Sequence, residues 1–108
     1  MNRKNLSDEA LALIASRFKL LGEGSRLKLI IALESGEQSV NELVAATGLT
    51  QANVSRHLAA LTAGGILSRR KEGLNVYHAI ADPGIFDMCE SVCGSLQKSL
   101  GARAKVFR

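Results

Sequence analysis

The stretch from Ser39 to Ala63 constrains this chain more than any other. Ser39-Val40-Asn41-Glu42 has the order of a capping box. In that arrangement the serine hydroxyl accepts from a backbone amide while the glutamate reaches back to the cap. Leu43 and Val44 give the helix it opens an apolar side, and Gly48 ends it. Beyond Leu49, Thr50 can cap another helix running from Gln51 to about Ala63. Two short helices, a tight glycine-bearing turn and an amphipathic second helix describe a helix-turn-helix.

The flanks extend this unit. Ser7 followed by Asp8 and Glu9 predicts a helix start, and apolar residues recur at helical spacing through Ala10, Leu11, Ile14, Phe18 and Leu21. After Gly22 and Gly24, Ser25 is expected to cap a helix carrying Leu27, Ile30, Ile31 and Leu33 and ending near Gly36. Past Gly64-Gly65, the run Ile66–Lys71 and the run Leu74–Ile80 predict a β-hairpin with a basic tip. Glu72-Gly73 is its expected two-residue turn. Leu74, Val76, His78 and Ile80 alternate onto one face. Asp82-Pro83 predicts a last helix, with aspartate as cap and proline at its first position, running to about Leu100. The basic tail Ala102–Arg108 is expected to fray.

A chain of 108 residues makes one domain with a modest core, so a further burial surface is unsurprising. Apolar residues form 46% of it, which excludes global disorder. No apolar run approaches the roughly 18–20 residues of a membrane span, and the polar start lacks a signal peptide's apolar stretch. A soluble cytoplasmic protein is expected. A net charge of +4 favours an anionic partner without identifying one.

Projected at about 100° per residue, Gln51–Ala63 has two faces. Val54, Leu58 and Leu61 can anchor it to a core. Ala52, Arg56, Ala59 and Ala63 lie opposite, with Ser55 beside them. A solvated helix normally carries long polar groups there. Alanines around one arginine suit a helix entering a groove about 12 Å wide. Arg56 can pair with a guanine edge; Gln51, Asn53 and Ser55 can reach bases or phosphates. Arg69, Arg70 and Lys71 beside the hairpin tip can contact phosphates, which position a protein without reading sequence.

These segments together resemble the ArsR/SmtB family of repressors. Phe18–Leu27 is similar to its "ALGDPTRL" segment, Ser39–Leu43 to "sv.eLa", and Leu49–Leu58 to "lsqs.vSrHL". Gly64–Leu67, Arg70–Gly73 and Val76-Tyr77 are similar to "aGLv..rreG..vyY". The match runs from Leu11 to Asp82 in consistent order. The resemblance implies a mainly α winged helix-turn-helix with a β-hairpin wing, a homodimer through its first and last helices, and operator DNA binding relieved by an effector, often a metal ion. It places Gln51, Asn53, Ser55, Arg56 and His57 on the recognition helix, and Arg69 to Tyr77 in the wing. His57 lies at the edge of the core face, so a DNA contact and a packing or orienting role both stand open.

The family's metal sites have lost their ligands here. Ser39 and Asn41 stand where its "ELCVCDL" segment has cysteines, and neither replaces a thiolate for a soft metal. On the last helix only Asp82 matches the zinc pattern; Gly84, Ser95 and Lys98 fill the other positions. Cys89 and Cys93 remain, one turn apart in an apolar stripe with Ile85, Phe86, Val92, Leu96 and Leu100. They are expected either to pack as small hydrophobes or to form a thiol sensor. The sensor would hold arsenite or another thiophilic ion, or be oxidised or persulfidated.

The expectation is thus a single winged helix domain over 1–108. Its helix-turn-helix lies at about 39–63, its wing at about 66–80, and its dimerisation helices at about 7–21 and 83–100. Its expected function is operator-bound repression released at Cys89 and Cys93. The alternatives are a ligand-free DNA-binding regulator and a protein-interaction module. An enzyme is disfavoured, because no base or oxyanion site accompanies the cysteines.

Overall fold

The computed structural model describes residues 2–107. Met1 and Arg108, the ends of the expected domain and tail, lie outside the described residues. Five α-helices are described: α1 (Asp8–Leu21), α2 (Gly24–Ala32), α3 (Val40–Thr47), α4 (Gln51–Ala63) and α5 (Gly84–Leu100). Strands β1 (Gln38–Ser39), β2 (Leu67–Glu72) and β3 (Asn75–Ile80) form an antiparallel sheet with β3 in the middle. This is a winged helix-turn-helix.

The caps work as their chemistry dictates. Ser7 Oγ accepts from the Ala10 amide, and Thr50 Oγ1 from the Asn53 amide. At α3 both arms of the capping box are made, Glu42 N–H to Ser39 Oγ at 3.2 Å and Ser39 N–H to Glu42 Oε1 at 3.1 Å. Gly48 then takes φ 73°, a left-handed conformation that glycine adopts without a steric penalty. The core forms where α2, α3 and α4 meet the sheet: Leu29, Ile30, Leu43, Val54, Leu58 and Leu61 are fully enclosed. Each stabilises the fold by about 1.5–3 kcal/mol through burial.

Four local expectations are corrected. Ser25 does not cap α2; Glu23 occupies that position and gives the helix no side-chain cap bond. The Glu23 carboxylate is engaged elsewhere, as described below. The hairpin turn is Gly73-Leu74, since Glu72 pairs with Asn75. Gly73 has φ 61° and Leu74 has no positive φ, which fits a type II′ turn with glycine first. Leu74 therefore leaves the alternating face and sits fully exposed at the tip. Pro83 is the N-cap of α5, one residue later than expected, although Asp82 still caps by accepting from the Gly84 amide at 3.1 Å. The tail continues from α5 as a 3-10 helix, Gly101–Phe107, and Phe107 is half-buried.

β1 was not expected at all. Gln38 pairs with His78 and Ser39 with Tyr77, so the chain adds a short strand just before the α3 cap. Across the hairpin, Leu67 opposes Ile80 and Arg69 opposes His78. This register turns Leu67, Arg69, Val76 and His78 toward α4 and Arg70 and Tyr77 away.

Two long helices contribute little to this core. α1 buries only Leu21 fully, and α5 only Ile85. The radius of gyration is 15.9 Å, against about 13 Å for a compact chain of this length. Arg17 ties them to the body. It donates from Nη1 to Asp82 Oδ2 at 3.2 Å and from Nη2 to the Gly64 carbonyl at 3.0 Å. At Gly64 the helices approach so closely that a Cβ would meet Leu20 Cδ2.

Candidate nucleic-acid interface and thiol pair

α4 presents Gln51, Ala52, Asn53, Ser55 and Arg56 to solvent, while Val54, His57, Leu58 and Leu61 are buried. The projection thus places its apolar anchors Val54, Leu58 and Leu61 correctly, and the structure adds His57 to them. Arg56 Nη2 rests 3.3 Å from Asn53 Oδ1, a contact within one helical turn that leaves its other donors free. Ser55, Ala59 and Ala63 line a cleft of about 520 Å³ together with Arg69, Val76 and His78. The small residues of α4 therefore face the wing across an open seam.

The three wing cations are not equivalent. Arg69 and Lys71 are exposed on the strand face that borders this cleft. Arg70 points the other way and is held by two acids. Its Nη2 is 2.6 Å from Glu37 Oε1, its Nη1 is 2.7 Å from Glu72 Oε2, and its guanidinium stacks 4.9 Å from the Tyr77 ring centre. The Arg70 hydrogen bonds hold the Glu37 carboxyl below its ordinary value, and Glu37, then Glu72, push Arg70 up. Nothing in the sequence signals this pair across 33 positions.

His57 is 1% exposed and sits between Arg26 and Glu23 of α2. Burial lowers its pKa; Glu23 opposes this, and Arg56 and Arg26 add to it. His78 is also buried, its Nδ1 has no partner, and burial with Arg69 lowers its pKa. Sequence reasoning missed Glu23 and Arg26, although their i, i+3 spacing at a helix start is a weak cue.

Cys89 and Cys93 are both free and half-buried. They line an open groove of about 720 Å³ with Phe18, Ile31, Phe86 and Phe107. Its charged lining residues are Glu34 and Glu90. Among the described residues, no group of three or more His, Cys, Asp or Glu side chains converges as a metal site. Among the described residues, no helix is long and apolar enough to cross a membrane.

The family model for the arsR family of bacterial regulatory proteins matches residues 23–69, from the α2 cap to the first wing cation. A solved homodimeric winged helix-turn-helix DNA-binding domain, Mb0332 of Mycobacterium bovis, is 31% identical. It covers 83% of this chain and 89% of its own, with a TM-score of 0.72. The chain belongs to the ArsR family.

Other relatives are similar over most of the chain. The crystal structure of Rv0081 from M. tuberculosis is 28% identical, with a TM-score of 0.78 over 91% of this chain and 99% of that one. A transcriptional repressor SmtB homolog of Synechocystis is 34% identical over 80% of this chain. The chain spans 65% of that repressor's length, and 28% of the length of another curated relative, a regulator of Mycobacterium tuberculosis. The identified part reaches beyond the helix-turn-helix to the helices that flank it, since the solved structures match nearly end to end.

Proposed function

We propose that this ArsR-family chain is a sequence-specific DNA-binding transcriptional repressor working as a homodimer. One observation carries the first half. Ser55 lines one cleft with the wing cation Arg69, and Gln51, Asn53 and Arg56 are exposed on the same helix. A helix for the major groove and a strand for the flanking phosphates thus lie side by side. We assign base contacts to Arg56, Asn53, Gln51 and Ser55, and phosphate contacts to Arg69 and Lys71. Arg70 has a wing-fixing role and His57 an orienting one. The chain is a binding protein, not an enzyme, and acts in the cytoplasm.

The second copy belongs on the α1–α5 face. Leu11, Ile14 and Phe18 of α1, Ile31 of α2, and Val92 and Leu96 of α5 are exposed. Phe18, Ile31, Val92 and Leu96 line one groove, and an exposed apolar surface of this kind marks an association face. Pairing through it places two recognition helices for half-sites about 34 Å apart.

The effector acts at Cys89 and Cys93. Both thiols open onto that same groove, so arsenite, another thiophilic ion or a persulfide donor bound there would alter how the protomers meet. A second reading has its own support: both cysteines are half-buried beside Phe18 and Phe86, where they serve as packing residues in a regulator without a ligand.

The test is anisotropy with duplexes selected by the protein from a random pool. Preferential binding that falls steeply with salt is expected. Absence of any sequence preference overturns DNA reading. Arsenite, cadmium and a persulfide donor should release the reduced protein, and the Cys89→Ser, Cys93→Ser double variant should bind DNA but ignore them. A double variant that still responds removes the thiol mechanism.

A further inference from the structure

Two residues outside the helix-turn-helix grip the recognition helix through its buried histidine. Both ring nitrogens of His57 are engaged. Arg26 Nε donates to Nδ1 at 3.1 Å. Arginine does not lose its proton in a protein, so Nδ1 carries the lone pair. The ring proton therefore sits on Nε2, which lies 3.2 Å from Glu23 Oε1 and donates to it. Arg56 Nη2 approaches the same Nε2 at 3.4 Å. Both of those nitrogens bear protons, so their approach is a contact and not a hydrogen bond. Arg26 also donates from Nη1 to the Leu20 carbonyl at 3.1 Å, and its Nε lies 3.5 Å from Glu23 Oε2. The connection runs from the last turn of α1, across the first turn of α2, into the middle of α4.

We propose that Glu23 and Arg26 are positioning residues for the base-reading Arg56. They fix His57, its neighbour in the chain, and so set the roll and depth at which α4 presents Arg56. This rests on the DNA-binding function proposed above.

The geometry explains why the cap of α2 is a glutamate that caps nothing. Its carboxylate is spent on His57 and Arg26. It also explains why Arg56 can leave its resting place cheaply. Its own contacts, at 3.3 and 3.4 Å, are long, while its backbone is held through the buried ring beside it.

A second proton on the ring breaks the device. Protonated imidazole carries N–H at both nitrogens, and Nδ1–H would point at Arg26 Nε–H. The new charge would lie between Arg26 and Arg56, with Glu23 alone opposing them. Among the described residues those three are the charged groups that act on the ring, Glu23 from the α2 cap, Arg26 from α2 and Arg56 from α4. The neutral ring is the working state.

The experiment uses the full chain and a duplex selected by the wild-type protein. Glu23→Gln and Arg26→Met are each titrated against that duplex and its single-base variants, at several salt concentrations and pH values. Each variant should bind about tenfold more weakly, the scale of one lost charge-assisted hydrogen bond. Each should lose discrimination at the same base pair as Arg56→Ala, with the salt slope unchanged. In Arg26→Met the Nδ1 position is freed and one opposing charge is gone. The His57 ring, followed by NMR, should then titrate at higher pH than in the wild-type protein.

Retained discrimination in both variants overturns the proposal. So does a salt slope smaller by about one with discrimination intact, which would make Arg26 a phosphate contact. A wild-type protein without sequence preference overturns the DNA-binding function itself, a different result. If either substitution costs the fold, the wild-type pH profile decides. Discrimination that survives protonation of His57 refutes the positioning role, and discrimination lost with it supports that role.

Discussion

Arg70 Nη2 lies 2.6 Å from Glu37 Oε1, which closes the base of the wing against the residue preceding β1. An arginine held by two acids and stacked on Tyr77 is poorly placed to neutralise phosphate. Arg69→Ala and Lys71→Ala should each weaken binding evenly across sequences and lower the logarithmic salt slope by about 0.9. Arg70→Ala should leave the slope nearly unchanged. Anisotropy titrations over a salt series check the contrast, and equal slope losses at all three positions would contradict it.

On the proposed function, Arg56→Ala removes a donor pair for one guanine edge. Binding to the selected duplex should weaken by about 1–3 kcal/mol, and preference at one base pair should relax. Binding measured against a panel of single-base variants checks this. A uniform loss at every variant would place Arg56 on phosphate instead.

Folding stability should depend on pH through the two buried histidines. Both have lowered pKa values: His57 from burial first, with its arginines adding and Glu23 opposing, and His78 from burial and Arg69. The unfolded chain takes up these protons near pH 6.5, whereas the folded chain resists them. Their contribution is therefore full above about pH 6.5 and is lost as pH falls from there toward the lower folded values. Urea midpoints should drop between about pH 7.5 and about pH 5.5. His78→Phe should flatten part of that slope and raise stability by about 1 kcal/mol, because it removes the unpartnered buried Nδ1.

Gly64→Ala should destabilise by about 1–3 kcal/mol, the usual cost of forcing a methyl into filled space. The new Cβ meets Leu20 Cδ2, and the carbonyl beside it is already held by Arg17. Thermal melts of both proteins measure the difference, and an unchanged midpoint would mean that Leu20 moves aside freely.

The helix-turn-helix was legible because its signals are local. Ser39 with Glu42, Gly48 and Thr50 lie within a few residues of the groups they satisfy. The apolar side of α4 was legible for the same reason, since Val54, Leu58 and Leu61 repeat at helical spacing. Contacts between distant segments were not. Arg17 meets Asp82 across 65 positions and Arg70 meets Glu37 across 33, and neither segment's own pattern names its partner. The turn was misplaced by one residue because Gly73 fits either central slot. The sheet decides it, by facing Leu67 with Ile80 and so keeping their side chains on the inner surface. Ser25 looked like a cap because serine is the commoner choice; Glu23 takes the position with an extended backbone, and its carboxylate meets His57 instead of capping. At the candidate site, the exposed positions of α4 could be read from periodicity. The division of labour among Arg69, Arg70 and Lys71 could not, because Arg70's partner Glu37 lies 33 positions away.

Arg17 has the last consequence. One side chain clasps the start of α5 and the final carbonyl of α4, and its own helix carries half of the apolar face. Arg17 thereby links these three pieces of a protomer. α4 has 13 residues, so its far end lies about 20 Å from the clasp. A tilt of only about 3° at the apolar face swings Gln51 by about 1 Å, on the order of the whole tolerance of a hydrogen bond. On the proposed function, a small change where protomers meet would thus become a missed base contact at the other end of α4.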